Sequence, residues 1–237
     1  MKYQKYLTGL LLFSACNINS FAHTIFLDDD PIKANDFILR FVNDDGIDVG
    51  YKPENITNFQ AIDKYGNLLK YKEYIKNGYV HYSNFNQNLA ISTIAFNYGY
   101  WSEQPDGKYK NLSKTESPNS SKTIFSHKFH KSIIYWNKDV KKPYNQKLEI
   151  VPLFATQPRQ SDKVKFKVLY DNKPLPYASL NFGGEGNSYK TNSNGVVTVQ
   201  VKPNRNIIWV GKRTAISNNI NATEESIETT LLFYSKD

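Results

Sequence analysis

The strongest constraint on this chain is a succession of short segments in which apolar and polar residues alternate and β-branched and aromatic residues are frequent. Turn-forming clusters such as Tyr65–Asn67 and Asn192–Gly195 separate them. Strands at this spacing are typical of all-β sandwiches. A weak helical periodicity predicts one helix, over Asn67–Lys76. The predicted strands cover Asp36–Val42, Leu89–Phe96, Lys147–Val151, Lys163–Tyr170, Ser179–Phe182, Gly195–Val201, Ile207–Val210 and Thr229–Tyr234.

A break in this alternation predicts two domains. The chain has 237 residues, enough for one large or two small domains. Pro152–Asp162 contains two prolines and no strand pattern. We therefore expect two immunoglobulin-like or transthyretin-like β-sandwich domains after a signal peptide. The first would cover 23–152, and the second, of the carboxypeptidase-regulatory-like type, 153–237.

The first 22 residues have the organisation of a bacterial secretory signal. Lys2 and Lys5 provide the positive region, Tyr6–Ala15 is apolar, and Ser20–Ala22 is a small-x-small cleavage site. Cleavage after Ala22 would remove Cys16 and deliver the mature chain to the periplasm.

An alternative remains open, because Leu12–Cys16 is an imperfect lipobox with Phe13 where Leu is usual. In that case lipid on Cys16 would anchor the protein to a membrane. No stretch of the sequence is long and apolar enough for a spanning helix in the mature chain. A single Cys also excludes a disulfide scaffold.

Composition and motifs argue against several function classes. The formal net charge is +8, but basic and acidic residues are interspersed, which indicates solvated faces and no nucleic-acid partner. The sequence contains no G-x-S-x-G elbow, no P-loop and no H-E-x-x-H motif. We expect no enzymatic activity and no permanent cofactor.

His23 is the first candidate metal ligand. Cleavage after Ala22 would make His23 the new N-terminus, so that its amine and imidazole could close one chelate ring on a cation. Nitrogen ligands of this kind suit Ni²⁺ and Cu²⁺. Both nitrogens must be deprotonated to bind, and ordinary pKa values near ~6.5 and ~7.7 predict weaker capture as the pH falls.

His127 and His130 are the second and third candidate ligands. Their flanks favour a strand, which would place the two side chains on opposite faces, so that only one of them could meet His23. Asp28 or Asp29 would add an oxygen ligand. His81 lies among aromatic residues and is predicted to be an ordinary strand residue.

Several segments resemble a known bacterial family. Phe21–Leu27 is similar to an A-H-x-x-[WF]-L start, Leu148–Leu153 to L-E-I-V-P-L, and Val168–Leu175 to V-L-[FY]-D-G-K-P-L, with Asn172 in place of Gly. Asn97–Ser102 followed by Pro105–Gly107 resembles G-Y-W-S…D-G. These motifs are those of periplasmic NikM/NikK-like nickel-transport accessory proteins, formally a domain of unknown function. The resemblance implies a periplasmic protein acting beside an energy-coupling-type importer, and only His23 carries over as a ligand.

We therefore expect a periplasmic accessory protein that binds Ni²⁺, or Co²⁺ or Cu²⁺, as transient cargo. Its partners would be the inner-membrane subunits of a metal transporter. Two other interpretations stay open. One is a structural or interaction β-sandwich module without metal. The other is a copper oxidase with an N-terminal His, which needs a second His and an axial Tyr facing His23.

Overall fold

The computed structural model describes residues 23–31, 33, 35–43, 46–85, 88–182 and 188–237, and it is all-β. The predicted signal and lipobox lie in 1–22, outside the described residues. Among the described residues, two short 3₁₀ helices occur, at Pro53–Asn55 and Lys138–Lys141. The described strands are β1 Thr24–Asp29, β2 Phe37–Val42, β3 Ile56–Asp63, β4 Lys72–Lys76, β5 Tyr79–Ser83, β6 Leu89–Glu103, β7 Tyr109–Lys110, β8 Thr123–Ile133, β9 Leu148–Pro152, β10 Lys163–Tyr170, β11 Lys173–Pro174, β12 Ser179–Phe182, β13 Ser188–Lys190, β14 Val196–Gln200, β15 Arg205–Ala215 and β16 Glu224–Tyr234.

The eight predicted strands are all present, as β2, β6, β9, β10, β12, β14, β15 and β16. The predicted helix over Asn67–Lys76 is wrong, because Lys72–Lys76 forms β4 and pairs with β5. Asn77 and Gly78 both have positive φ, 53° and 80°, and so form a tight turn that returns the chain antiparallel to β4. This turn outweighs the weak helical periodicity before it.

An eight-stranded sheet forms the centre of the molecule. Its order is β13-β12-β15-β16-β8-β6-β3, with β7 paired to β6. β16 and β8 are parallel neighbours, in register from Glu224 opposite Ile124 to Phe233 opposite Ile133. Strands from both sides of Pro152–Asp162 therefore belong to one sheet. The division into domains at 152/153 stays a prediction, as does their immunoglobulin-like or transthyretin-like type.

Two smaller sheets pack on opposite faces of this central sheet. The first has the order β1-β2-β5-β4, and the second joins β9, β11 and β14 to β10. On β8, His130 contacts β1 of the first sheet, whereas the next residue, Lys131, contacts Glu149 on β9 of the second. Two apolar cores result, one around Phe41 and the other around Phe166.

An ion pair lies buried between the central sheet and β9. Lys131 and Glu149 bind each other, and their side chains are 1 % and 0 % exposed. Glu149 also accepts the backbone N–H of Tyr144, at 2.9 Å to each carboxylate oxygen. Burial lowers the pKa of Lys131, and the charge of Glu149 opposes that shift. The acid in the L-E-I-V-P-L segment thus has a structural partner.

We expect Glu149→Gln to lower the free energy of unfolding by about 3–5 kcal/mol, because it leaves Lys131 buried without a countercharge. The double variant Lys131→Met/Glu149→Gln removes both charges and keeps an acceptor for Tyr144, so it should recover most of the loss. Urea unfolding at neutral pH measures both. A double variant as unstable as the single one would contradict this account.

Candidate functional site

Strand β8 carries two of the three predicted metal ligands on opposite faces. Its alternation turns His130 toward β1 and His127 toward Glu225 of β16. The strand predicted over these residues is confirmed. His127 and His130 therefore point away from each other across the sheet, and one ion cannot bind both.

The ring of His130 joins β1 to the central sheet. The backbone N–H of Leu27 donates to Nε2 at 3.2 Å, so Nε2 is unprotonated and Nδ1 carries the proton. Nδ1 then donates to Oγ1 of Thr230 at 2.7 Å, and that hydroxyl donates to the carbonyl oxygen of Ile25 at 2.7 Å. Oγ of Ser132 lies 2.6 Å from Nε2. Both ring nitrogens are therefore engaged within the protein.

Ser132, His130 and Thr230 also have the hydrogen-bond order of a Ser-His-acid triad, with a hydroxyl in the place of the acid. Burial, and then the charge of Arg205, lower the pKa of His130 to about 3. A general base works best when its pKa is near the operating pH. The ring is thus a poor acceptor for the Ser132 proton, and the network's evident role is to hold β1.

His127 lies beside Glu225, which lines an open groove of about 490 Å³. Its Nε2 is 3.8 Å from Oε1 of Glu225, and the ammonium of Lys147 is 3.1 Å from both oxygens of the same carboxylate. Burial lowers the pKa of His127, Glu225 opposes this, and Lys147 adds to the lowering. A cation at His127 would have to displace Lys147 to use Glu225.

His23 lies just before β1 and packs into a cluster of aromatic side chains. Its ring centroid is 5.4 Å from that of Phe41, in a stacked arrangement, and 5.8 Å from that of Tyr98. Trp101 extends the cluster, with its ring centroid 4.6 Å from Tyr98. His23 remains partly exposed. The imidazole is therefore held at a defined place at the edge of the fold.

The same cluster contains a second buried ion pair, between Lys128 and Glu228. Their side chains are 3 % and 10 % exposed. Burial, and then the charge of Glu228, raise the pKa of Tyr98 to about 12. We did not predict this pair from the sequence. The available signal was two lysines inside an aromatic strand, since a buried lysine requires a partner.

Asp28 and Asp29 lie at the other end of β1 from His23. A strand rises by about 3.3 Å per residue, so Asp28 is roughly 17 Å along the chain from His23, and neither carboxylate reaches an ion held there. Burial, and then the charge of Asp28, raise the pKa of Asp29.

His81 is confirmed as a strand residue, on β5. It stacks on Tyr74 at 5.0 Å, and its Nδ1 is 3.4 Å from Oδ2 of Asp30. Within the part of the chain that the structure describes, no three His, Cys, Asp or Glu side chains are grouped to hold a metal ion.

Comparison with known proteins places this chain in a family. A family model described as "Domain of unknown function (DUF4198)" matches residues 20–207. The chain belongs to the DUF4198 family. An uncharacterized protein of Haemophilus influenzae is 24 % identical over 228 residues, which cover 96 % of this chain and 95 % of that protein. The DUF4198 match contains His23, His127 and His130, whereas β16 lies beyond its end. None of the described helices is long and apolar enough to span a membrane.

We expect the stability of this DUF4198 protein to fall as the pH drops below about 6.5. Unfolded His130 takes up a proton near that pH, but the folded ring stays neutral down to about 3, so the unfolded state binds more protons in between. One such group gives a slope of up to ~1.4 kcal/mol per pH unit. Urea unfolding between pH 4 and pH 7 measures the slope.

His130→Gln should be less stable at pH 7 and should show a shallower pH dependence. Ser132→Ala is the matched control, because it removes one hydrogen-bond partner and leaves the titrating ring in place. An unchanged slope in His130→Gln would show that another group causes the acid sensitivity.

Proposed function

We propose that the protein is an exported accessory protein of a nickel or cobalt uptake system, which binds the divalent cation transiently and passes it to an inner-membrane energy-coupling-type transporter. The proposal includes cleavage of the signal after Ala22, which gives His23 a free amine. The motifs that resemble NikM/NikK-like proteins support it, as does the position of His23.

The observation that carries the proposal is the fixed position of His23. Its imidazole packs on Phe41 and Tyr98, and β1, directly after it, is held to the central sheet through Leu27 and Ile25. An amine at this point would therefore belong to an ordered chain end. Holding ligands in place before binding reduces the entropy lost when the ion binds.

The other two predicted ligands, His130 and His127, do not take part in this site. His130 has both ring nitrogens in hydrogen bonds that anchor β1, so we assign it a positioning role. His127 faces the opposite side of the central sheet, so it does not contribute to a site at His23. In this proposal the cation is bound by the amine and the imidazole of His23.

A direct test is calorimetric titration of NiCl₂ into the chain that begins at His23. We expect micromolar or tighter binding. A chain that begins at Ser20 places His23 fourth and separates its imidazole from the amine, so it should lose this binding. His23→Phe keeps an aromatic ring on Phe41 and Tyr98 and should also lose it. His127→Gln is the matched control and should bind like the unchanged protein.

Equal binding by the chains that begin at His23 and Ser20 would show that the cation is bound elsewhere. No binding by either would sink the metal proposal and favour a structural or interaction module of the cell envelope. Mass spectrometry of the protein purified from the periplasm tests the cleavage itself. A mature chain beginning at Cys16 would leave His23 without a free amine.

A further inference from the structure

Strand β1 advances in step with β16, which lies beneath it. The carbonyl oxygen of Ile25 accepts the hydroxyl of Thr230. Two residues further along each strand, Leu27 and Leu232 line the same small cleft. A step of two residues on β1 therefore corresponds to a step of two residues on β16, as expected for extended strands that run in the same direction.

His23 lies just before β1, and extending the same step back from Ile25 to His23 would place it at the level of Glu228. Ring contacts agree with this placement. His23 has its ring centroid 5.4 Å from Phe41 and 5.8 Å from Tyr98. The ammonium of Lys128, which binds Oε2 of Glu228, lies 6.0 Å and 5.6 Å from the centroids of the same two rings. His23 and the Lys128–Glu228 pair thus surround one aromatic cluster.

Glu228 is a buried carboxylate and requires a positive charge beside it. In the structure that charge is the ammonium of Lys128. A divalent cation held by His23 would supply the same charge, and a carboxylate oxygen is an ordinary ligand for Ni²⁺, Co²⁺ and Zn²⁺. The ammonium of Lys128 and a cation held by His23 are both positively charged, so they would compete for the carboxylate of Glu228.

We propose that Glu228 is the oxygen ligand of the His23 cation site and that Lys128 occupies this carboxylate until the cation displaces it. This inference rests on the proposed function. The displaced ammonium remains close to the rings of Phe41 and Tyr98, whose π faces attract cations. Competition from Lys128 keeps the carboxylate neutralised when no metal is bound, and it makes the bound cation exchangeable.

The experiment is NiCl₂ titration of the chain that begins at His23, with substitutions at the pair. Glu228→Gln should weaken Ni²⁺ binding by about tenfold or more, a scale typical of altered groups around a metal site. Lys128→Met should tighten binding by a similar factor, because the carboxylate then has no competing ammonium. Lys128→Arg preserves the ion pair and should bind like the unchanged protein.

Lys128→Met leaves Glu228 without a countercharge and lowers stability when no metal is present. The double variant Lys128→Met/Glu228→Gln avoids that charge, and its affinity should equal that of Glu228→Gln alone. This equality would show that Lys128 acts through Glu228. Thermal unfolding without and with NiCl₂ identifies the variants that fold.

The chain that begins at Ser20 separates the two proposals. If it loses binding but Glu228→Gln binds like the unchanged protein, the terminal site stands and the role of Glu228 is wrong. Unchanged or weaker binding by folded Lys128→Met would also overturn the inference. If Lys128→Met does not fold, Glu228→Gln and the double variant decide. If no chain binds, or the Ser20 chain binds equally, both proposals fail.

Discussion

The structure depends on the parallel pairing of β8 with β16. These strands are about 100 residues apart in sequence, and each backbone hydrogen bond between them joins the two parts of the chain. Because the two strands are central, both of their faces are covered by other sheets, with β1 on one side and β9 on the other. The ion pairs Lys128–Glu228 and Lys131–Glu149 and the hydrogen bonds of His130 all involve a side chain on one of these two strands.

That position explains the unusual polar content of the interior. β8 and β16 present Lys128, His130, Lys131, Glu228 and Thr230 to covered surfaces, and all five side chains are buried. Burying such groups is costly unless each has a partner. Here each partner lies on a neighbouring strand or on the sheet above. These side chains fix the position of the smaller sheets on the central sheet. Directional polar contacts define such a position more narrowly than apolar contacts do.

Much of the strand content could be predicted, because alternation with period two and turn residues are local signals. The opposite orientation of His127 and His130 followed from the same alternation. Sheet order could not be predicted in this way, since nothing local marks Glu224–Tyr234 as the neighbour of Thr123–Ile133. The role of His130 in anchoring β1 could not be predicted for the same reason. Its partners, Leu27 and Thr230, are about 100 residues away on either side.

The β8–β16 pair also has a consequence for how the chain acquires its structure. Loop closure over about 100 residues must precede this pairing, and topologies rich in such distant contacts fold slowly. The part of the central sheet formed by β3, β6, β7 and β8 lacks this neighbour until β16 has been synthesised. Until β16 is in place, the edge of β8 that it covers has unpaired backbone groups, which are open to pairing with another chain.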